Sequence, residues 1–264
     1  GGGSSGRLSL LLSKSGVTQL DPGPTADPAI VKLGEALFFD KILSGNRDIS
    51  CATCHHPQFA GGDGLPLSFG TGGHGLGPNR TPGEDRIFIP RNAPDLFNRG
   101  SPEWETMFWD GRVNISAIYG LSTPVGNGLP PMLETPLEAQ GLFPVTSREE
   151  MRGDIGDMDR DGRPNELAAI DNMEPKAMWA ALMKRLLAVP GYVELFNAAY
   201  PDTPTAELGF EHASLALAAY EIHAFTFMDS PWDRYLAGER EALSEEAKRG
   251  VDQDTQGWHL QHRP

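Results

Sequence analysis

From Asp27 to Asp40 the apolar residues Ile30, Val31, Leu33, Leu37 and Phe38 recur at the spacing of a helix with one buried face. Pro28 stands near the first helical position, where its missing N–H costs nothing. The pattern therefore predicts a helix over this stretch. Between Pro57 and Pro102 the periodicity lapses into a segment dense in Gly and Pro, including Gly61-Gly62, Gly72-Gly73 and Pro78, where regular structure should be sparse. Long loops of this kind tend to carry function. After Glu174 helical spacing resumes from Ala177 to Val189, from Tyr192 to Tyr200 and from Leu208 to Phe227, the last with apolar and small residues along one face. Alternating β-branched runs are few and no internal repeat is visible, so the expected class is mostly α.

The first predicted helix leads into Cys51-Ala52-Thr53-Cys54-His55, a C-x-x-C-H motif that uses both cysteines of the chain. No thiol remains for a disulfide framework or a four-ligand metal site. The default reading is one covalent c-type haem. Cys51 and Cys54 would form the thioethers and His55 would be the proximal iron ligand. Two other readings stay open: a redox dithiol, which favours a thioredoxin-like βαβ context not seen here, and half of a zinc site, which needs two more ligands.

The chain has 264 residues, 39% of them hydrophobic, enough for one substantial domain or two small ones. A formal net charge of -14 argues against nucleic acid and anionic membranes and suits a basic or neutral soluble partner. No apolar run reaches the length of a membrane span. Residues 1–26, opening Gly1-Gly2-Gly3-Ser4-Ser5-Gly6, read as a flexible N-terminal segment, and Leu8 to Leu12 is too short for a complete signal peptide. Because c-type haem is attached after export, the motif implies a periplasmic, extracytoplasmic location.

Several motifs in order carry a family resemblance. They are Leu33-Gly34-Glu35-Ala36-Leu37-Phe38-Phe39-Asp40, Leu43-Ser44-Gly45-Asn46, Ile49 to His55, Arg91-Asn92-Ala93-Pro94, Phe108-Trp109-Asp110-Gly111-Arg112, Leu137-Glu138-Ala139-Gln140, Pro144-Val145, and Ser230 to Gly238. Together they resemble the N-terminal, peroxidatic haem domain of the bacterial di-haem cytochrome c peroxidases and their MauG-type relatives. The resemblance implies a cytochrome c-like haem domain with long Gly/Pro-rich loops over residues 27–242. It also implies reduction of hydrogen peroxide, with Glu138 as the acid/base that takes and returns the peroxide proton. His74, in Phe69 to Gly77, matches a loop from which some members place a second, displaceable histidine on the iron, and its flanking glycines would permit movement. The alternative for His74 is an exposed loop residue. Arg112, with Arg91 and Arg47, is a candidate for pairing haem propionates. Trp109 and Phe108 are candidates for the haem wall. His56, His212 and His223 are expected to be surface or satisfied core residues.

Two departures stand out. Met107 occupies a position where the family's peroxidases carry glutamine, and a thioether cannot replace an amide as a hydrogen-bond donor. Residues 243–264 read as the truncated start of a second domain followed by an unrelated tail holding His259 and His262, with no second C-x-x-C-H. The expected electron source is then an external cytochrome c or cupredoxin. Calcium is a second candidate ligand, at Asn92, a family calcium position, and at Asp157, Asp159 and Asp161, which reproduce the first half of an EF-hand loop with Gly162 at its sixth position. The competing functional class is a monohaem electron carrier or an inactive fragment, with the sixth position closed by His74 or a methionine.

Overall fold

A computed structural model describes residues 4–251, so His259 and His262 lie outside the described residues. The helices are α1 (Ser4–Lys14), α2 (Pro28–Phe39), α3 (Cys51–Cys54), α4 (Pro136–Gln140), α5 (Pro175–Leu187), α6 (Pro190–Ala199), α7 (Phe210–Phe225) and α8 (Pro231–Leu236). Strands β1 (Thr106–Met107), β2 (Val113–Ser116) and β3 (Gly120–Ser122) form an antiparallel meander. Met107 lies opposite Val113, and Ile115 opposite Leu121. The class is mostly α, as the periodicity predicts. Residues 23–226 form one compact unit, and the chain ends, 4–22 with 227–251, form another.

In the larger unit, α2 starts where Asp27 accepts the Ala29 N–H at 2.7 Å and Pro28 fills the first turn. Leu33, Leu37 and Phe38 are fully buried, each a gain of about 1.5–3 kcal/mol over exposure. They pack chiefly on α7, whose Ala213, Ala216 and Ala218 are small enough to let another backbone come close. The approach is tightest at Gly34, where a Cβ would overlap the Ala216 carbonyl oxygen and lie 2.8 Å from Tyr220 Cβ. Helix α6 closes the other side of α2, with the Tyr192 hydroxyl donating to Asp40 at 2.9 Å.

Helix α4 rests on α7 and on the sheet, the Ser214 hydroxyl donating to the Glu138 carbonyl at 2.5 Å. Trp179 of α5 donates its indole N–H to Leu142 O at 2.8 Å, which satisfies the polar edge of a buried ring. Residues 57–102 contain only short 3₁₀ turns, Pro57–Phe59 and Gly77–Asn79, in keeping with their composition. The first and last parts of this unit meet the same turn: Gly23 sits so close to Gly100 that a Cβ would overlap its carbonyl, and the Asn98 N–H donates to Phe225 O at 3.0 Å.

The terminal unit has a core of its own, which draws in part of the stretch that reads from sequence as flexible. Leu8 and Leu12, one helical turn apart, are buried with Tyr235 of α8 in a small core flanked by Trp232, Leu236 and Leu243. An apolar i, i+4 pair so near a glycine-rich start gives little periodic signal, because its partner lies far along the chain.

Candidate functional site

The C-x-x-C-H motif forms a single helical turn. The Ser50 N–H donates to Thr53 Oγ1 at 3.0 Å to start it, and the His55 N–H closes it on Cys51 O at 2.9 Å. Both thiols are free. Nδ1 of His55 lies 3.1 Å from the carbonyls of Gly61 and Pro94, so the proton belongs on Nδ1 and Nε2 keeps its lone pair for a metal. Burial lowers the imidazole pKa and so favours the neutral ring a metal requires, against the pull of those two carbonyls.

Burial pushes both thiols up to about 12, helped by Glu221 at Cys51 and Asp63 at Cys54. A redox dithiol needs the opposite shift. Among the described residues no group of three or more His, Cys, Asp or Glu side chains converges as a metal site, which leaves a zinc reading without its remaining ligands. Two thiols on one turn beside a histidine with an oriented, unprotonated Nε2 fit one covalently attached haem.

Charged groups that the sequence does not single out crowd this motif. Asp63 is fully buried, with Oδ1 accepting the Leu65 N–H at 3.0 Å and Oδ2 unpartnered. Arg80 is 4% exposed and interacts electrostatically with Cys54, Asp48 and Asp63. Glu221, on α7 beside Cys51, has an unpartnered buried Oε2, and burial pushes it up to about 8 against the pull of Arg99. Glu150 is pushed up to about 7 by burial against the pull of Arg112. Glu221 had a signal, a lone carboxylate inside the apolar run Ala216 to Ile222, whereas Glu150 looks like any surface glutamate.

The structure separates the expected residues. Glu138 is half-buried at the N-terminus of α4, its Oε2 accepting from the Glu134 and Thr135 N–H groups at 2.7 and 2.9 Å in a capping box with Thr135. His74 is exposed, its backbone bridged to Thr81 at 2.9 and 2.8 Å. Arg112 lies over the Phe108 ring and donates to Asp110 at 3.2 Å. Trp109 is 68% exposed under the Arg91 guanidinium, so it is not packed as a wall within this chain. Met107 is buried in the core. His212 is buried, its Nδ1 3.1 Å from the Gly209 N–H, and His223 is exposed.

The proposed calcium ligands are not brought together. Asp157 accepts from Asn46 at 2.9 Å and Arg86 at 2.6 Å. Asp159 accepts the Asp161 and Arg163 N–H groups at 2.9 Å and faces Arg47, while Asp161 lies out toward Arg163. Arginines and backbone donors thus take most of these oxygens, and Asp159 Oδ2, which has no hydrogen bond, lies 3.6 Å from Arg47 Nε. Asn92 is exposed and donates to Leu65 O.

The fold and donor set therefore define a c-type haem-binding class of domain. The sequence profile of the family described as di-haem cytochrome c peroxidase matches residues 28–241. Among curated relatives, methylamine utilization protein MauG of Methylorubrum extorquens is 30% identical over 87% of this chain and 48% of its own length. Cytochrome c551 peroxidase of Pseudomonas aeruginosa is 28% identical over 89% and 50%. The crystal structure of the di-haem peroxidase BthA from Burkholderia thailandensis aligns with a TM-score of 0.52 at 20% identity, over 86% of this chain and 47% of that one, which shows a shared fold. The chain belongs to the di-haem cytochrome c peroxidase family. It spans about half the length of the curated relatives it matches. Among the described residues no helix is long and apolar enough to cross a membrane.

Proposed function

We propose that this chain binds one haem c through Cys51, Cys54 and His55 and reduces hydrogen peroxide in the bacterial periplasm, with electrons from a small redox protein such as a cytochrome c or cupredoxin. The observation that carries the reading is His55 Nδ1 held by two carbonyls beside two free thiols on one helical turn, in a chain of this family. Bound haem supplies the iron through which two electrons from the donor, with two protons, convert one peroxide to two waters. The net charge of -14 favours a donor with a basic face.

Within the chain, His55 orients the metal site through its Nδ1–H, and the carbonyls of Gly61 and Pro94 fix the ring. Glu138 is the proton carrier. Its Oε2 is committed to the cap, and Oε1, which has no hydrogen bond among the described residues, is the oxygen that takes the proton from one peroxide oxygen and returns it to the other. An electron carrier requires a second strong ligand, and the exposed, Thr81-bridged His74 favours the enzyme over that reading.

The test is the optical spectrum of protein matured with c-type haem, recorded ferric, ferrous and after stoichiometric peroxide. A high-spin ferric fraction with a rapid peroxide-dependent Soret shift supports the enzyme, and a low-spin haem inert in both states removes it. Glu138→Gln refines the assignment, because glutamine at the third helical position preserves the capping box while losing the exchangeable proton. We expect the peroxide reaction to slow by about 100-fold or more with haem content unchanged.

A further inference from the structure

The glycine-rich loop carrying His74 reads from sequence as a hinge, yet in the structure its carbonyls hold an arginine and Gly73 makes room for it. Arg80 sends all three guanidinium nitrogens to carbonyls of this one loop: Nε to Phe69 O at 2.8 Å, Nη2 to Gly70 O at 2.5 Å and Nη1 to Gly75 O at 2.9 Å. A Cβ on Gly73 would lie 2.7 Å from Nη2, and one on Gly70 would overlap the carbonyls of Glu149 and Glu150. Gly72, Gly75 and Gly77 hold positive φ, which lets the chain wrap the cation. The ring is closed by the backbone bridge between His74 and Thr81.

The loop is also tied to the approach to the C-x-x-C-H turn. Asp48, three residues before Cys51, accepts the Thr71 hydroxyl and the Gly72 N–H, each at 2.6 Å. The Thr71 N–H donates to Glu150 O at 2.8 Å. The half-buried carboxylate of Asp48 and the buried one of Asp63 supply the negative field that makes a buried guanidinium tolerable here.

We infer that Arg80 is a positioning residue: it clasps residues 69–81 with His74 turned to solvent, and so leaves the distal side of the haem open to peroxide. The loop glycines are already committed to close packing, Gly73 against the Arg80 guanidinium, Gly70 against the Glu149 and Glu150 carbonyls and Gly72 against Arg86. For His74 to swing inward, its bridge to Thr81 would break and the three charge-assisted bonds would be strained or lost. The inference rests on the haem reading above and explains why an exchangeable histidine would not close the site.

The experiment uses the haem-loaded protein with Arg80→Ala, Arg80→Lys, His74→Ala and the Arg80→Ala/His74→Ala double variant. Hydrogen exchange over residues 70–81 reads the clasp, and the ferric spin state by electron paramagnetic resonance reads His74. The wild type should be high-spin and insensitive to His74→Ala. Arg80→Ala should speed exchange of the His74 and Thr81 amides by about 100-fold or more. It should also produce a low-spin fraction that the double variant abolishes. Should the alanine variant fail to incorporate haem, Arg80→Lys keeps the charge without the fork and should give intermediate acceleration.

Unchanged exchange in both Arg80 variants overturns the clasp. A wild-type low-spin signal lost in His74→Ala overturns the claim that the histidine is held away. A wild type that is high-spin yet inert to peroxide sinks the peroxidase reading alone, since exchange and spin state would still report on Arg80.

Discussion

Gly34→Ala sets helix propensity against packing, and the structure decides the sign. Gly34 is in the middle of α2, where alanine gains about 1 kcal/mol of intrinsic preference. On an isolated helix the substitution would stabilise. Here the new methyl would lie 2.6 Å from the Ala216 carbonyl carbon and overlap its oxygen, and both atoms belong to the backbone of α7, which cannot rotate aside. The helices would have to separate, loosening Leu33, Leu37 and Phe38 from Ala213, Leu217 and Tyr220. Overpacking a rigid contact costs about 1–3 kcal/mol, and a clash with main chain belongs at the top of that range. The net expectation is a loss of about 2 kcal/mol, or roughly 4–8 °C in Tm for a unit of this size. Thermal denaturation of the haem-loaded variant, followed by far-UV circular dichroism, measures it. A Tm equal to or above wild type would show that the α2–α7 crossing is looser than described.

The remaining predictions concern buried charge. Glu150 and Glu221 ionise near 4.5 in an unfolded chain but are held up to about 7 and about 8 by burial, so between those values the folded state keeps protons the unfolded state has released. Stability should therefore be greatest near the ordinary carboxylate range, fall as pH rises and level off above about 8; Glu221→Gln should flatten the slope, and a Tm that climbs from pH 5 to 8 in wild type with no effect of the variant would contradict the assignment. Arg152 is 1% exposed and donates to Leu167 O at 3.0 Å, Asn172 Oδ1 at 2.7 Å and Ile170 O. Arg152→Met strands these acceptors and should cost about 3 kcal/mol, with chemical denaturation as the measurement and a loss under 1 kcal/mol as the contrary result.

What the sequence disclosed follows the range of the interactions involved. Helices α5, α6 and α7 fall within two residues of their expected spans because each has a long periodic face closed at its start by a proline or a glycine. The haem turn was legible because five contiguous residues carry its whole chemistry. The three-stranded meander was not, since strands of two to four residues hold too few alternations to register a period. The Gly-rich loop was read as a hinge because glycine's backbone freedom is local information, whereas the use of Gly73 depends on the Arg80 guanidinium and that of Gly70 on the distant carbonyls of Glu149 and Glu150. The EF-hand-like spacing of Asp157, Asp159 and Asp161 is likewise local information. Asn46 and Arg86, distant in sequence, reach Asp157 first.

The small core that joins Leu8 and Leu12 to Tyr235 bears the entropy of a long loop. Ser9 and Arg240, which are bonded across it, are 231 residues apart. Closing so long a loop in an unfolded chain costs on the order of 5 kcal/mol, which offsets much of the roughly 4.5–9 kcal/mol that three buried side chains return. The 23–226 unit lowers this cost once it is folded, because its own beginning at Gly23 and its end at Phe225 are both fastened to the 98–101 turn. The closure left to the terminal core is then short. Helix α1 is held by so small a core that its amides should be among the earliest to exchange with solvent when the protein is stressed.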